Sequence, residues 1–129
     1  MTEGLVDFAT LQLPDRPSRW LIAPVGATAA TPDAVAPPFP LLSADELADR
    51  LETELASLER TTRIARVGRR MAFVQRSRVF QFPDAIAAEA IALPDGGSAP
   101  ILYSVSRVGY FDFGVNRARL EALLDRLRR

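Results

Sequence analysis

Between residues 60 and 109 the chain is cut at short intervals by residues that turn a backbone. Gly68 follows RTTRIARV, the QFPD of 81–84 follows RMAFVQRSRVF, and the PDGGSAP of 94–100 follows AIAAEAIAL. Short runs bounded by such breaks read as strands joined antiparallel. The expected strands are 60–67, 70–80, 85–93 and 99–109. Pro83 is expected to break the second run from the third, because proline donates nothing to a central ladder. The alanines of 85–93 favour a helix, but a helix there would be short and without a cap, so a strand is expected.

Helices are expected on both sides of this meander. Ser43 with Glu46 three residues later forms a capping box. Leu47, Leu51, Leu55 and Leu58 then repeat at helical spacing, and the helix is expected to end near Glu59. Asn116 is a candidate N-cap for a final helix carrying Leu120, Leu123, Leu124 and Leu127. Its last turn holds Arg126, Arg128 and Arg129, which suit the negative pole of a helix. The expected fold is α+β: an antiparallel meander of about four to five strands, with two helices packed on one face in a two-layer arrangement.

At 129 residues the chain is expected to be one domain, with 1–42 largely extended and rich in proline. Trp20–Val25 reads as a short edge strand, since Pro24 bars a central place. The prolines of 26–40 favour a packed, extended connector. MTEGLVDFATL lacks the apolar core of a signal peptide. No stretch of about 18 apolar residues marks a membrane span, so the expected location is cytoplasmic.

Composition removes whole classes of chemistry. There is no cysteine and no histidine, so neither Ser-His-Asp nor Cys-His catalysis can be built from one such chain. Lysine is absent too; all sixteen basic residues are arginine. That excludes Schiff-base chemistry and a P-loop lysine. A zinc site would have to be all carboxylate, which zinc rarely accepts. No metal and no cofactor are expected.

The charge is zero overall but split. Residues 1–59 hold three arginines and ten acids, a net −7, and residues 60–129 hold thirteen arginines and six acids, a net +7. Either one half neutralises the other across the fold, or the basic half presents a face to an anion.

Strand alternation puts Arg76 and Arg78 on one face, and Tyr103, Val105 and Arg107 on one face of the fourth strand. In a meander Arg76, Arg78 and Arg107 share a sheet face, with Glu89 a candidate counter-charge. Asp84 and Asp112 follow strand ends, where each can fork onto an arginine. The candidate site is therefore a rim of Arg76, Arg78, Arg107 and Arg117, with Tyr103 and Tyr110 against an apolar part.

The expected function is non-enzymatic: a binding or accessory domain that recognises an acidic protein partner or a small anion. One alternative is a hydrolase or lyase using Asp84 or Asp112 with an arginine. Another is an accessory subunit of a larger assembly, docked through 24–40. Nucleic acid is not expected, because the chain is neutral and carries no recognised binding motif.

The stretch SRVGYFDFGVNRAR (106–119) is the most distinctive in the chain. Together with DFATL (7–11), LIAP (21–24) and VQRSRVFQFPD (74–84), it resembles the bacterial and plastid domain-of-unknown-function family 1499. The resemblance implies signature positions at Arg76, Ser77, Arg78, Phe82, Asp84, Ser106, Arg107, Gly109, Asp112, Gly114, Val115, Asn116 and Arg119. It assigns no activity to them. Relatives often read Ser-Arg-Ser-Arg where this chain has Ser104, Val105, Ser106 and Arg107, and often carry serine where it has Phe111. Within the stretch, Gly109 and Gly114 are expected to turn the chain. Asp112 and Asn116 are expected to bond the turn and start the helix. Tyr110, Phe111 and Phe113 are expected to clamp it on the core.

Overall fold

The computed structural model describes residues 3–110 and 112–129. Its elements are β1 (Arg19–Ala23), β2 (Ala34–Val35), α1 (Ala44–Ala56), β3 (Thr61–Val67), β4 (Arg70–Arg76), β5 (Pro83–Ala92), β6 (Ser98–Ser106) and α2 (Val115–Leu127). One six-stranded sheet runs in the order β2-β1-β6-β5-β4-β3. All neighbours are antiparallel except β1 and β2, which are parallel. The fold is α+β as expected, with a larger sheet.

α1 starts where the capping box places it. Ser43 Oγ accepts from the Glu46 amide at 3.1 Å, and Glu46 Oε1 accepts from the Ser43 amide at 2.9 Å. Leu47, Leu51 and Leu55 are fully buried against the sheet. The helix stops at Ala56, short of Glu59. Ser57 Oγ donates to the Glu54 carbonyl at 2.7 Å, and Arg60 adopts a left-handed φ of 54°. Both end the helical path before β3 begins.

β3 and β4 are joined by a tight turn at Gly68 and Arg69, with Val67 opposite Arg70. β4 ends at Arg76, so residues 77–80 form a turn and not the tail of a strand. Pro83 does not separate β5 from the sheet. It is the first residue of β5, opposite Arg76. Proline is tolerated there because it opens the strand and only its carbonyl is engaged, accepting from the Arg107 amide at 3.2 Å. The alanine-rich run is a strand: Ile86, Ala88 and Ala90 are buried beneath the helices, and Ala87 is buried on the other face. Small side chains there let layers approach from both sides.

β1 is not an edge strand. It lies between β6 and the two-residue β2, which takes the edge. Pro24 falls just past its end and interrupts no ladder. Asp33 holds β2 in place, accepting from the Leu21 amide and donating its own amide to the Leu21 carbonyl, both at 2.8 Å. The following segment is packed, with Ala36 and Phe39 buried and Phe39 exchanging backbone hydrogen bonds with Ser98.

Both helices cover one face of the sheet. The other face is covered in part by the N-terminal segment. Phe8 is buried there against Leu21, Ala87, Ile101 and Tyr103, with Val6, Leu11 and Leu13 beside it. A sheet with apolar residues on both faces needs this second cover.

Candidate functional site

One end of the sheet gathers the C-termini of β4 and β6, the N-terminus of β5 and the start of α2. Most of the sequence-predicted residues lie here, in two separate arrangements.

The first is a closed polar network under α2. The Arg119 Nη2 lies 2.7 Å from Asp84 Oδ2. Its Nη1 donates to Ser104 Oγ and Asn116 Oδ1, both at 2.8 Å, and its Nε donates to Gln75 Oε1. Ser104 Oγ donates to Asn116 Oδ1 at 2.5 Å. The Asn116 amide group donates to Asp112 Oδ2 at 2.6 Å, Ser106 Oγ at 2.9 Å and the Ser18 carbonyl at 3.2 Å. Ser18, Ser104 and Asn116 have no exposed surface. The alternation of β4, β5 and β6 explains the assembly: Gln75, Asp84 and Ser106 share one row of the sheet, on the side that carries α2.

Asn116 is therefore not the N-cap. The cap position is Gly114, at φ 79° and without a side chain to offer. Asp112 does the capping from two residues earlier, accepting from the Gly114 amide at 3.0 Å and the Asn116 amide at 3.1 Å. Burial raises the Asp112 pKa, but hydrogen bonds from the Asn116 side chain and from the Gly114 and Asn116 amides outweigh it. The carboxyl is held below the usual carboxylate range. Such a group stays ionised at neutral pH and is a poor proton acceptor. Asp84 is likewise committed to Arg119. Among the described residues no acidic side chains gather in a way that could hold a metal ion.

The second arrangement is open. Arg76 closes β4 opposite Pro83, and Arg107 follows β6 with its amide on the Pro83 carbonyl. The two arginines thus share a face across one intervening strand, about 10 Å apart by ordinary strand spacing. Arg78 stands in the adjoining turn. All three are exposed. Arg76 Nη1 donates to the Gln81 carbonyl at 3.0 Å. No carboxylate of the described residues forms an ion pair with any of the three.

Elsewhere the split in charge is largely answered within the fold. Arg63, Arg66 and Arg69 of the β3–β4 hairpin pair with Glu52, Asp49 and Asp45 of α1, and Arg126 pairs with Glu54. Among the described residues, Arg50, Arg128 and Arg129 lack a carboxylate partner too. They gather at the C-terminus of α2, whose dipole favours cations, and Arg50 donates to the Arg129 carbonyl.

Several expected members are engaged by other partners or lie elsewhere. Arg117 is ion-paired with Glu121 at 3.3 Å, and its guanidinium stacks over Trp20 at 4.9 Å from the ring centroid. Glu89 sits at the far end of β5, paired with Arg70 at 2.9 Å, so it cannot answer Arg76 or Arg107. Tyr103 is buried under the N-terminal segment, and burial pushes its hydroxyl up in pKa. Tyr110 and Phe113 do not clamp the turn on the core: they are 58% and 98% exposed. Phe111, the third residue of that expectation, lies outside the described residues.

Sequence reasoning did not place Ser18, Gln75, Ser104, Ser106 or Arg119 in the candidate site, although the resemblance marked Ser106 and Arg119 as signature positions. The i, i+3 spacing of Asn116 and Arg119 on a helix was the available signal. It also missed apolar members of the open end, Val79, Phe80 and Val108, while Phe82 was implied only as a signature position. Their signal is apolar residues interleaved with arginine between two strands.

An α+β domain with a hydrogen-bonded Asp-Arg-Asn network and an open arginine end defines the molecule's class. The family model described as a protein of unknown function, DUF1499, matches residues 11–127, and the chain belongs to that family. No curated protein and no solved structure matches the chain.

Proposed function

We propose that the chain is a non-enzymatic binding or accessory domain of the cytoplasm, which recognises an acidic partner or small anion through Arg76, Arg78 and Arg107. The observation that carries the proposal is that, among the described residues, no carboxylate forms an ion pair with these three exposed arginines, in a fold that pairs most of its other cations. An unpaired, exposed guanidinium offers its planar fork to a carboxylate or phosphate. Arg117 is not part of this site, being engaged by Glu121 and Trp20. The commitment of Asp84 and Asp112 to hydrogen bonds supports a binding role over a hydrolase or lyase.

The test is binding of poly-glutamate and of inorganic pyrophosphate to the chain and to a variant with Arg76, Arg78 and Arg107 changed to Gln. The expected loss is on the order of tenfold for each arginine that contacts the anion directly. Unchanged binding by the triple variant removes the assignment.

A further inference from the structure

The same end of the molecule is unusually apolar for an exposed surface. Of the eleven large hydrophobic residues exposed among the described ones, seven lie between Val79 and Val115. Six of them come from two loops, 77–82 and the described part of 107–114, and the seventh, Val115, opens α2; the bases of the loops are joined by the Arg107 amide on the Pro83 carbonyl. Phe80 and Phe82 stack on each other, ring centroids 5.3 Å apart, yet are 72% and 46% exposed. Phe113 is 98% exposed and adopts a left-handed φ of 54°. A phenylalanine in that backbone region is strained, and this one gains no burial in return. Folding alone gives no reason for such residues.

Position and exposure sort these side chains. Arg76 and Arg107 stand at strand ends, Val79 and Phe80 stand in the middle of their loop, and Phe113, just before the cap of α2, is almost wholly exposed. From this order we infer that the two loops are a membrane-surface anchor, whose occupant is a bilayer rich in anionic lipid. Phenylalanine and valine at the tips enter the boundary between headgroups and acyl chains, and the arginines behind them meet the lipid phosphates. The inference rests on the proposed function and names its acidic partner. Charge complementarity selects the bilayer over a second copy of the chain, which would set the same unpaired arginines against each other. A small anion makes no use of the aromatics. An acidic polypeptide would need pockets for side chains that project as far as Phe113, whereas an acyl layer accepts any shape.

The experiment is flotation of the full chain with vesicles of phosphatidylcholine, with and without phosphatidylserine. The chain is expected to float with the anionic vesicles only. Each of Arg76→Gln, Arg78→Gln and Arg107→Gln is expected to lower partitioning about five-fold. Phe80→Ser with Phe113→Ser is expected to lower it about tenfold while leaving poly-glutamate binding unchanged. Both phenylalanines are exposed, so circular dichroism should report the same fold. A Phe80→Trp probe is expected to shift its emission to the blue on anionic vesicles. Absence of flotation overturns the inference, as does flotation that ignores the serine substitutions. If vesicles are not bound but poly-glutamate is held through the arginines, the bilayer falls and the anion-binding proposal stands. If neither is bound, both fall. Poly-glutamate binding that weakens with the two serine substitutions points to a protein partner and overturns the bilayer.

Discussion

Arg119 shows what a single side chain does here. It reaches Asp84, Gln75, Ser104 and Asn116, and so ties β4, β5 and β6 to α2. With 10% exposure for Arg119 and 17% for Asp84, the pair is far from freely solvated. Arg119→Met leaves the Asp84 carboxylate without its counter-charge, and the expected cost is about 3 kcal/mol in urea unfolding. A loss under about 0.5 kcal/mol would make the pair an ordinary surface contact. The sequence disclosed Asp84, Asp112 and Asn116 as polar residues near strand and helix ends. It did not disclose Arg119 as their hub. That assignment depends on β5 lying between β4 and β6, which brings Asp84 beneath a helix some 35 positions away in sequence.

At the scale of elements, helices were more legible than strand positions. α1 announced itself by the capping box and the leucine stripe, both local signals. β2 did not, because two residues paired through Asp33 leave no periodic trace. The place of β1 inside the sheet was hidden for the same reason. The start of α2 lies two residues before the expected cap: Gly114 takes the cap position, Asp112 bonds the turn as expected, and Asn116 enters the helix as a buried group. This gives a pH signature with a fixed sign. The folded-state pKa of Asp112 is depressed. Its contribution is therefore present above the unfolded value near pH 4 and is lost as pH falls through the lower folded value. Asp112→Asn is expected to lower stability at pH 7 by about 1–2 kcal/mol. The variant should also lose less stability than the wild type between pH 4 and pH 2. Parallel acid profiles for the two proteins would contradict that role for the carboxyl.

For the whole molecule, the charge split visible in the sequence turns out to serve mostly internal neutralisation, α1 against the β3–β4 hairpin. These pairs are exposed, and each is worth little in salt water. Added salt is thus expected to leave thermal stability nearly unchanged and, on the proposed function, to weaken anion binding steeply, because salt screens exposed arginines. The second face of the sheet was not legible, since nothing local says that residues 6–13 lie across it. Phe8→Ala should expose this: the expected cost is about 3 kcal/mol, with the polar network under α2 left intact. The most direct test of the central claim is the footprint of an anion on the folded chain. Amide chemical shifts should be followed by NMR during titration with poly-glutamate. The expected shifts cluster in 76–82 and 107–114. Shifts confined to Arg50, Arg128 and Arg129 at the far end of α2 would contradict the claim and move the binding site there.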